Sequence, residues 1–312
     1  MKGLKPRICV VGSMITDLVF RVERLPRPGE TLPGKGFGMF LGGKGFNQAI
    51  AAHRLGAEVT MIGRIGNDQF GDLFLEKLQQ EGMSTGHITR DPEIGTGVAV
   101  PMIDTAGQNS IIGVPRANLR LTVEQVAGTR SEIEKADVLM LQFEVPKAAS
   151  QLAAAIARHH GTLVQLDPAP AHHLGDDFSG PLDYIVPNEI EAAVLAQGAP
   201  IDNWARRMLD SGLTAVVIST GEQGATVYDR QGRRDFPAFK VRVVDTTGAG
   251  DAFRAGLAVM IAEGKELDAA VRFANACGAL ACTVLGAEPS MPTRIAVEEF
   301  LAELRSGDGA NG

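Results

Sequence analysis

The sequence predicts an α/β fold in which helices cover both faces of a mostly parallel sheet, with a small second sheet projecting from it. Three observations lead to this prediction: the composition, an alternation of short apolar runs with helical patterns, and two segments that break the alternation. Of the 312 residues, 45% are hydrophobic and 21% charged, as in an average globular protein. Aromatic residues make up only 5%, whereas glycine occurs 37 times, which suits a core of small aliphatic side chains with many turns.

Short apolar runs predict the strands of the main sheet. The first is Ile8–Val11, which ends at Gly12. Similar runs lie at 59–62, 138–141, 162–166, 184–186 and 215–219. Helical patterns lie between these runs, at 47–55, 69–81, 146–159, 189–196 and 203–209. Strands that alternate with helices predict a mostly parallel sheet covered on both faces.

Residues 15–42 and 97–117 break this alternation. They contain short alternating strands, at 18–22, 97–103 and 109–114, with no helix between them. We expect the two segments to pair into one small β-sheet that forms a lid. The main domain would then comprise residues 1–14, 43–96 and 118–312. Because exposed strands of such a sheet invite pairing with another chain, a homodimer through the lid is expected.

Charge and the N-terminus exclude several classes of protein. The formal net charge is −7, without a Lys/Arg cluster to override it, so a nucleic-acid partner is not expected. The apolar run that follows the first seven residues is broken by Gly12, Ser13 and Asp17, which is too short for a signal peptide or a membrane span. The three cysteines lie in apolar stretches as buried thiols, and we expect a cytoplasmic protein with no membrane partner.

The segment Val244–Phe253 carries the strongest chemical signal. Its glycines, Gly248 and Gly250, flank Ala249 and allow a tight turn that brings several N–H groups together at a helix N-terminus. Such a group of amides is a binding site for an anion. Asp251 follows in the first turn of the helix, where its carboxylate can accept the proton of an attacking hydroxyl. Taken alone, the segment also fits an ordinary helix start with an acidic first turn.

The segment Leu41–Ala49 nearly matches a P-loop. Gly45, however, stands where a P-loop has the Ser or Thr that holds magnesium, so a P-loop is excluded. The bare backbone of its glycines suits a different task, the close approach of a polyhydroxy ligand. Lys44 and Asn47 offer hydrogen-bond donors to such a ligand.

These two segments, with several further motifs, resemble the ribokinase-like (PfkB) family of carbohydrate kinases over nearly the whole chain. The further motifs are, in chain order, Gly12-Ser13 with Asp17, Pro26–Thr31, Asp167–Ala171, Pro187–Glu191, Ser219–Gly224 and Gly286–Ser290. The resemblance is closest to the ribokinase branch and implies a ribokinase-like fold. It also implies transfer of the γ-phosphoryl group of ATP to a primary hydroxyl of a pentose-like sugar, ribose or 2-deoxyribose. A kinase of nucleosides or of another sugar is the alternative, and a non-catalytic sugar-binding protein on the same fold is a remote one.

The resemblance also implies roles for individual residues. Asp251 would be the general base, with Gly248, Ala249 and Gly250 as the anion hole. The residues implied to bind ATP are Asn188, Ser219, Thr220, Gly221, Glu222, Gln223, Gly224, Gly250 and Asn275. Magnesium would be held by Asn188 and Glu191, mainly through water. The residues implied to bind potassium are Asp245, Thr247, Ala281, Val284, Gly286 and Ser290.

Substrate contacts are implied in the same way, and two of them depart from the family pattern. The implied residues are Ile15, Asp17, Gly43, Lys44, Phe46, Asn47, Glu144 and Asp251. Ribokinase has an asparagine at the position of Ile15 and a small residue at that of Phe46. Because an alkyl group cannot bond a sugar hydroxyl, the substrate is expected either to lack that hydroxyl, as 2-deoxyribose does, or to carry an apolar group there, as a nucleoside does.

Overall fold

The computed structural model describes residues 5–105, 108–171 and 181–308. Its strands are, in chain order, β1 (Arg7–Val11), β2 (Ile15–Arg21), β3 (Gly36–Gly42), β4 (Glu58–Gly66), β5 (Ile88–Asp91), β6 (Gly97–Ile103), β7 (Asn109–Val114), β8 (Val138–Gln142), β9 (Leu163–Asp167), β10 (Tyr184–Ile185), β11 (Ala215–Ser219), β12 (Ala225–Asp229) and β13 (Gly232–Phe236). Its helices are, in chain order, α1 (Lys44–Arg54), α2 (Gln69–Gln80), α3 (Val123–Gly128), α4 (Arg130–Lys135), α5 (Lys147–His160), α6 (Glu189–Ala196), α7 (Ile201–Asp210), α8 (Ala249–Ala262), α9 (Leu267–Ala281), α10 (Ala287–Ser290) and α11 (Arg294–Asp308). None of the helices in these ranges is both long and apolar enough to cross a bilayer.

The large sheet of the described residues contains nine strands in the order β13-β12-β11-β10-β9-β8-β1-β4-β5. All neighbouring pairs from β11 to β5 are parallel. Only the pairs β11–β12 and β12–β13 are antiparallel, and β12 and β13 form a hairpin at one edge. The mostly parallel sheet expected from the sequence is therefore confirmed, whereas the edge hairpin was not among the predicted strands.

Side chains of the central strands alternate between two hydrophobic clusters, one on each face of the sheet. In β1, Ile8 and Val10 pack with residues of α1, α8 and α9, whereas Cys9 and Val11 pack with residues of α3 to α7. All four of these side chains are essentially inaccessible to solvent. Burial of an aliphatic side chain of this size contributes roughly 1.5–3 kcal/mol. The prediction of helices on both faces is thus confirmed, and the sheet is stabilised from both sides.

The small sheet has four strands in the described residues, in the order β3-β2-β6-β7. Strand β2 is parallel to β6, and the other two pairs are antiparallel. The segments 15–42 and 97–117 therefore pair as the sequence predicted. Residues 106–107 of the predicted lid, and 1–4, 172–180 and 309–312 of the predicted main domain, lie outside the described residues.

The polar segments of the predicted site meet at one edge of the large sheet. The parallel strands β1, β8 and β9 end at Val11, Gln142 and Asp167. Carboxyl ends of neighbouring parallel strands lie at the same edge, which is where ligands bind in open α/β sheets. Helices α1 and α8 are packed against each other through the first cluster, so their N-termini meet at this edge as well.

Candidate active site

Asp251 lies in the first turn of α8 with only 7% of its surface exposed. Its carboxylate accepts hydrogen bonds from Asn47 Nδ2 at 2.9 Å and from Gln48 Nε2 at 3.0 Å, both on α1. Burial raises the pKa of Asp251, and the positive charge of Lys44 opposes this rise. Because a raised pKa makes the ionised carboxylate a stronger base, this group is suited to accepting a proton.

The backbone at the start of α8 is shaped by two glycines. Gly248 has φ of +80°, and a Cβ there would lie 2.6 Å from Met291 Cε, so the position requires glycine. The N–H of Ala249 donates to the Thr246 carbonyl at 3.2 Å, which does not fit the predicted role of that amide in an anion hole. Within the described part of the chain, the N–H groups of Gly248 and Gly250 have no acceptor. These two amides remain available to an anion at the positive end of the helix dipole.

Asp17 and Glu144 form an acidic cluster with Asp251. Glu144 follows β8 and accepts hydrogen bonds from Ser13 Oγ and, at 2.9 Å, from the backbone N–H of Lys44. Burial, followed by the charges of Glu144 and Asp251, raises the pKa of Asp17 to about 7. Burial also raises the pKa of Glu144. Such a cluster can accept hydrogen bonds from several hydroxyl groups of one ligand.

Lys44 supplies a fixed positive charge next to these acids. Its Nζ lies 3.5 Å from Asp167 Oδ2 at the end of β9. Burial lowers the pKa of Lys44, but the charges of Asp167, Asp251 and Glu144 outweigh this effect and raise it overall. Lys44 therefore stays protonated and offers donors to a ligand at the acidic cluster.

Ile15 and Asp17 lie on the same face of β2, because alternate residues of a strand point to the same side. Both are half-buried. Gly43 has φ of +89°, and a Cβ there would lie 2.7 Å from the backbone nitrogen of Ile15. The predicted substrate residues of β2 and of the segment before α1 are thus adjacent.

Phe46 points away from this site. Its ring is completely buried and packs edge-on against Phe74 with the ring centroids 4.8 Å apart. Helix α1 begins at Lys44, so residues 44, 47 and 48 share one face and residue 46 is turned into the core. The prediction that Phe46 contacts the substrate is therefore wrong, and its ring is a packing residue.

Asn188 and Glu191 meet at the N-terminus of α6, where each caps the other. Asn188 Oδ1 accepts from the Glu191 N–H at 2.8 Å, and Glu191 Oε2 accepts from the Asn188 N–H at 2.7 Å. Glu191 Oε2 also accepts from Arg254 Nη2 at 3.1 Å. Across the described ranges, no group of three or more His, Cys, Asp or Glu side chains is arranged to hold a metal ion. These two residues fit a magnesium ion only through water, with Glu191 Oε1 as the open oxygen.

The predicted ATP residues Ser219–Gly224 form the loop between β11 and β12. The loop is closed by a hydrogen bond from the Thr220 N–H to the Gly224 carbonyl at 2.8 Å. Asn275, on α9, donates to the carbonyls of Phe236 and Pro237 at 3.2 and 3.3 Å. A cavity of about 430 Å³ lies between the segment after β13 and α9, and Asn275 is part of its lining. The loop contacts the same segment, because the Ala238 N–H donates to the Gln223 carbonyl at 3.3 Å, although the Asn275 amide already bonds to the backbone.

The predicted potassium ligands come from the segment before α8 and from the end of α9 onwards. Asp245 links the two, because its Oδ1 accepts from the Thr247 N–H and its Oδ2 from the Gly286 N–H, both at 2.9 Å. Ser290 Oγ donates to the Ala287 carbonyl at 2.7 Å. The two segments are adjacent, as a shared ion requires, but these side chains already bond within the protein. The potassium site stays a prediction that would rest on backbone carbonyls.

Gln48 is a site residue that sequence reasoning missed. Its Nε2 bridges Asp251 Oδ1 and Asp167 Oδ2, at 3.0 and 2.9 Å, and its Oε1 accepts from Gln142 Nε2 at 2.8 Å. These hydrogen bonds from the Gln48 side-chain amide therefore fix the orientation of the Asp251 and Asp167 carboxylates. The available signal was its position next to Asn47, which the helix places on the same face.

Arg254 was missed as well. It is 3% exposed, and its Nε donates to the Val186 carbonyl at 2.9 Å and lies 3.1 Å from Asp167 Oδ1. The sequence signal for Arg254 was a charged residue in an otherwise apolar helix. Because a buried charge needs partners, such a residue indicates polar contacts in the core. Asp167, at the end of a predicted buried strand, carried the same signal.

Comparisons with known proteins agree with this geometry. The family model described as pfkB family carbohydrate kinase matches residues 5–294. The chain is 37% identical over 303 residues to a ribokinase of Haemophilus influenzae, covering 96% of this chain and 99% of the relative. It is 33% identical over 302 residues to a deoxyribokinase of Salmonella typhi, covering 95% and 98%. The structure of Arabidopsis thaliana ribokinase complexed with ribose and ATP matches with a TM-score of 0.87 at 31% identity, covering 96% of this chain and 99% of that one.

Proposed function

The chain belongs to the pfkB family and is an ATP-dependent carbohydrate kinase, and we propose that its acceptor is the primary hydroxyl of a pentose, ribose or 2-deoxyribose. One observation carries the proposal. The Asp251 carboxylate is held by two amide donors at the start of α8, next to two backbone amides that have no acceptor within the described ranges. The demand for ATP also supports the predicted location in the cytoplasm.

Asp251 acts as the general base in the proposed mechanism. Its carboxylate takes the proton of the primary hydroxyl, and the oxygen attacks the γ-phosphorus of ATP in line. As the new O–P bond forms, the bond between the γ-phosphorus and the oxygen bridging to the β-phosphate breaks. The electron pair of that bond leaves with ADP, so the products are the sugar phosphate, ADP and a proton on Asp251.

Negative charge on the moving phosphoryl group is met by the amides of Gly248 and Gly250. Donors fixed before the reaction cost no reorganisation when the charge develops. Magnesium, when bound with ATP, would neutralise charge on the β- and γ-phosphates, and Asn188 and Glu191 would hold its water ligands. Potassium would lie beside this segment, among the carbonyls near Asp245.

The small sheet serves as a lid over the sugar in this proposal. Ile15 and Asp17 on β2, together with Lys44 and Glu144, would line the sugar site. ATP would lie along the edge formed by the Ser219–Gly224 loop and the cavity beside α9. Closure of the lid would exclude water, which otherwise competes with the sugar as phosphoryl acceptor.

Ile15 is the residue we propose for selecting among pentoses. Its alkyl side chain leaves one sugar hydroxyl without a partner, which disfavours that hydroxyl by about 1–3 kcal/mol. This favours 2-deoxyribose over ribose. A nucleoside base would need an apolar wall, which Ile15 and Phe46 were expected to form. Because Phe46 is in the core, only Ile15 of these two residues remains for that wall.

Phosphorylation of a panel of acceptors tests the proposal. Ribose, 2-deoxyribose, hexoses and nucleosides would each be incubated with ATP, with and without potassium, while release of ADP is followed. We expect turnover with the pentoses, faster with 2-deoxyribose. Preference for a hexose or a nucleoside would contradict the pentose assignment. Binding of a sugar without ADP release would support the non-catalytic alternative.

A second copy of the chain is the partner we propose for the outer face of the small sheet. The face opposite to Ile15 and Asp17 exposes large apolar side chains. They are Phe20 at 38%, Phe37 at 64%, Met39 at 45%, Ile112 at 64% and Val114 at 55%. Contiguous apolar patches of this kind mark interaction sites on soluble proteins. A homodimer through the lid, as expected from its exposed strands, would cover them.

A further inference from the structure

The guanidinium of Arg254 lies over the start of α8. Side chains on a helix lean toward its N-terminus, so residue 254 covers the surface above residue 250. A Cβ built on Gly250 would lie 2.5 Å from Arg254 Nη1, about 1 Å closer than an ordinary contact. Glycine at this position is therefore what allows the guanidinium to reach the segment that carries the free amides.

The rest of the guanidinium is fixed by protein partners. Its Nε is held by the Val186 carbonyl and Asp167, and its Nη2 lies 3.1 Å from Glu191 Oε2. The side chain is only 4% exposed. Among the described residues, Nη1 has no acceptor. Nη1 is not among the fully buried unpaired atoms of the described residues, so it reaches open space, where an anion at the start of α8 could accept a charge-assisted hydrogen bond from it.

Asp251 does not supply that anion. Its carboxylate is turned to α1, where Asn47 and Gln48 occupy it. Nη1 and the N–H of Gly250 therefore remain together as open donors, at the positive end of a helix of 14 residues. This combination fits a phosphoryl group, whose three equatorial oxygens share the negative charge during transfer.

We propose that Arg254 is a further catalytic residue, whose Nη1 binds the phosphoryl group on its way from ATP to the sugar. The proposal rests on the proposed function, because it assumes that the Gly248–Gly250 segment receives that group. Arg254 takes part in no covalent step. It stabilises the same charge that the amides of Gly248 and Gly250 meet.

Substitution of Arg254 by glutamine tests this role, with Arg64→Gln as the matched control. Arg64 is also largely buried and pairs with Asp91 at 2.9 Å, but it lies on β4, away from α8. The measurements are kcat with the best acceptor and the dissociation constants of ADP alone and of ADP with aluminium fluoride, which imitates the transferring group. We expect Arg254→Gln to lower kcat by about 10²–10³, as for loss of one transition-state donor. The affinity for ADP with aluminium fluoride should fall by the same order, while those for ADP alone and for the sugar stay unchanged. Arg64→Gln should change none of these values.

An equal loss of affinity for ADP with and without aluminium fluoride would overturn the proposal, since a purely structural arginine affects both alike. An unchanged kcat would also overturn it. If Arg254→Gln does not fold, Arg254→Lys is the second variant, because it keeps the positive charge. A crystal structure of the unmodified enzyme with ADP and aluminium fluoride would also give the distance from Nη1 to the fluorine atoms directly. A separation above about 3.5 Å between Nη1 and every fluorine would exclude the contact. The dissociation constants of ADP with and without aluminium fluoride are measured without sugar. They therefore test the role of Arg254 even if the acceptor panel contradicts the pentose assignment.

Discussion

Replacing Asn47 by leucine is expected to weaken sugar binding and to shift the pH profile of this kinase, with effects on stability that largely cancel. The Asn47 side chain is 5% exposed, and its Nδ2 donates to Asp251 Oδ2 at 2.9 Å. Its Oδ1 is buried and has no hydrogen-bond partner among the described residues. Leucine has nearly the same size and carries neither polar atom, so the substitution removes one satisfied donor and one unsatisfied acceptor together.

The two effects on stability have opposite signs. Loss of a hydrogen bond to a charged group costs about 1.5–3 kcal/mol, whereas removal of a buried unsatisfied acceptor returns about 1–3 kcal/mol. The free energy of unfolding should therefore change by less than about 2 kcal/mol. We propose that the unsatisfied Oδ1 also accepts a hydrogen bond from a sugar hydroxyl, since the resemblance places Asn47 among the substrate residues. Losing that bond, worth roughly 0.5–1.5 kcal/mol, should weaken sugar binding by about 2- to 13-fold.

The pH dependence of kcat/KM gives the sharper readout. Burial and the charge of Asp167 raise the pKa of Asp251, whereas the charge of Lys44 and, to a smaller extent, the Asn47 hydrogen bond lower it. Without this hydrogen bond the pKa rises further, so the acid limb of the profile should move to higher pH. Thr16→Val is the control, because Thr16 Oγ1 is likewise buried without a partner but bonds no carboxylate. An acid limb that stays in place in Asn47→Leu, or an unfolding free energy lower by more than about 3 kcal/mol, would refute this reasoning.

Two further predictions concern the small sheet. Asp17 has a pKa of about 7 in the folded chain against an ordinary value of 3.8, so it contributes stability below about pH 4 that is lost as the pH rises through about 7. Asp17→Asn should therefore gain in unfolding free energy relative to the unmodified protein between those two pH values, and an equal difference at both would contradict the argument. Phe37→Lys combined with Ile112→Lys should yield monomers in analytical ultracentrifugation, because charges would occupy the apolar face. Ile295→Lys, equally exposed but on α11, should leave the dimer intact, and an unmodified chain that sediments as a monomer would contradict the interface.

Short-range patterns predicted the frame of this protein well. The apolar runs and the helical patterns between them predict the parallel strands and the two covered faces, because burial on both faces leaves near-continuous apolar runs in the sequence. The hairpin β12–β13 escaped because its second strand, Gly232–Phe236, is largely polar and exposed at the sheet edge. An edge strand of this kind has no apolar run to reveal it.

Contacts within the site were harder to predict because they join distant parts of the chain. Gln48 and Asp251 are 203 positions apart, and nothing local in either segment indicates that one bonds the other. Phe46 was assigned to the substrate site because the family resemblance placed a substrate residue at that position. In this chain the position lies on the buried side of α1, so its ring packs in the core. The Ala249 N–H was predicted to face an anion, but it donates to the Thr246 carbonyl in a turn, which only the backbone conformation reveals.

The general-base role of Asp251 is tested most directly by the kcat of Asp251→Asn with the acceptor that the unmodified enzyme uses best. The amide is close in size to the carboxylate but cannot accept the proton. We predict a kcat lower by about 10²–10⁴, with the dissociation constant of the sugar little changed. A turnover close to that of the unmodified enzyme would contradict the account.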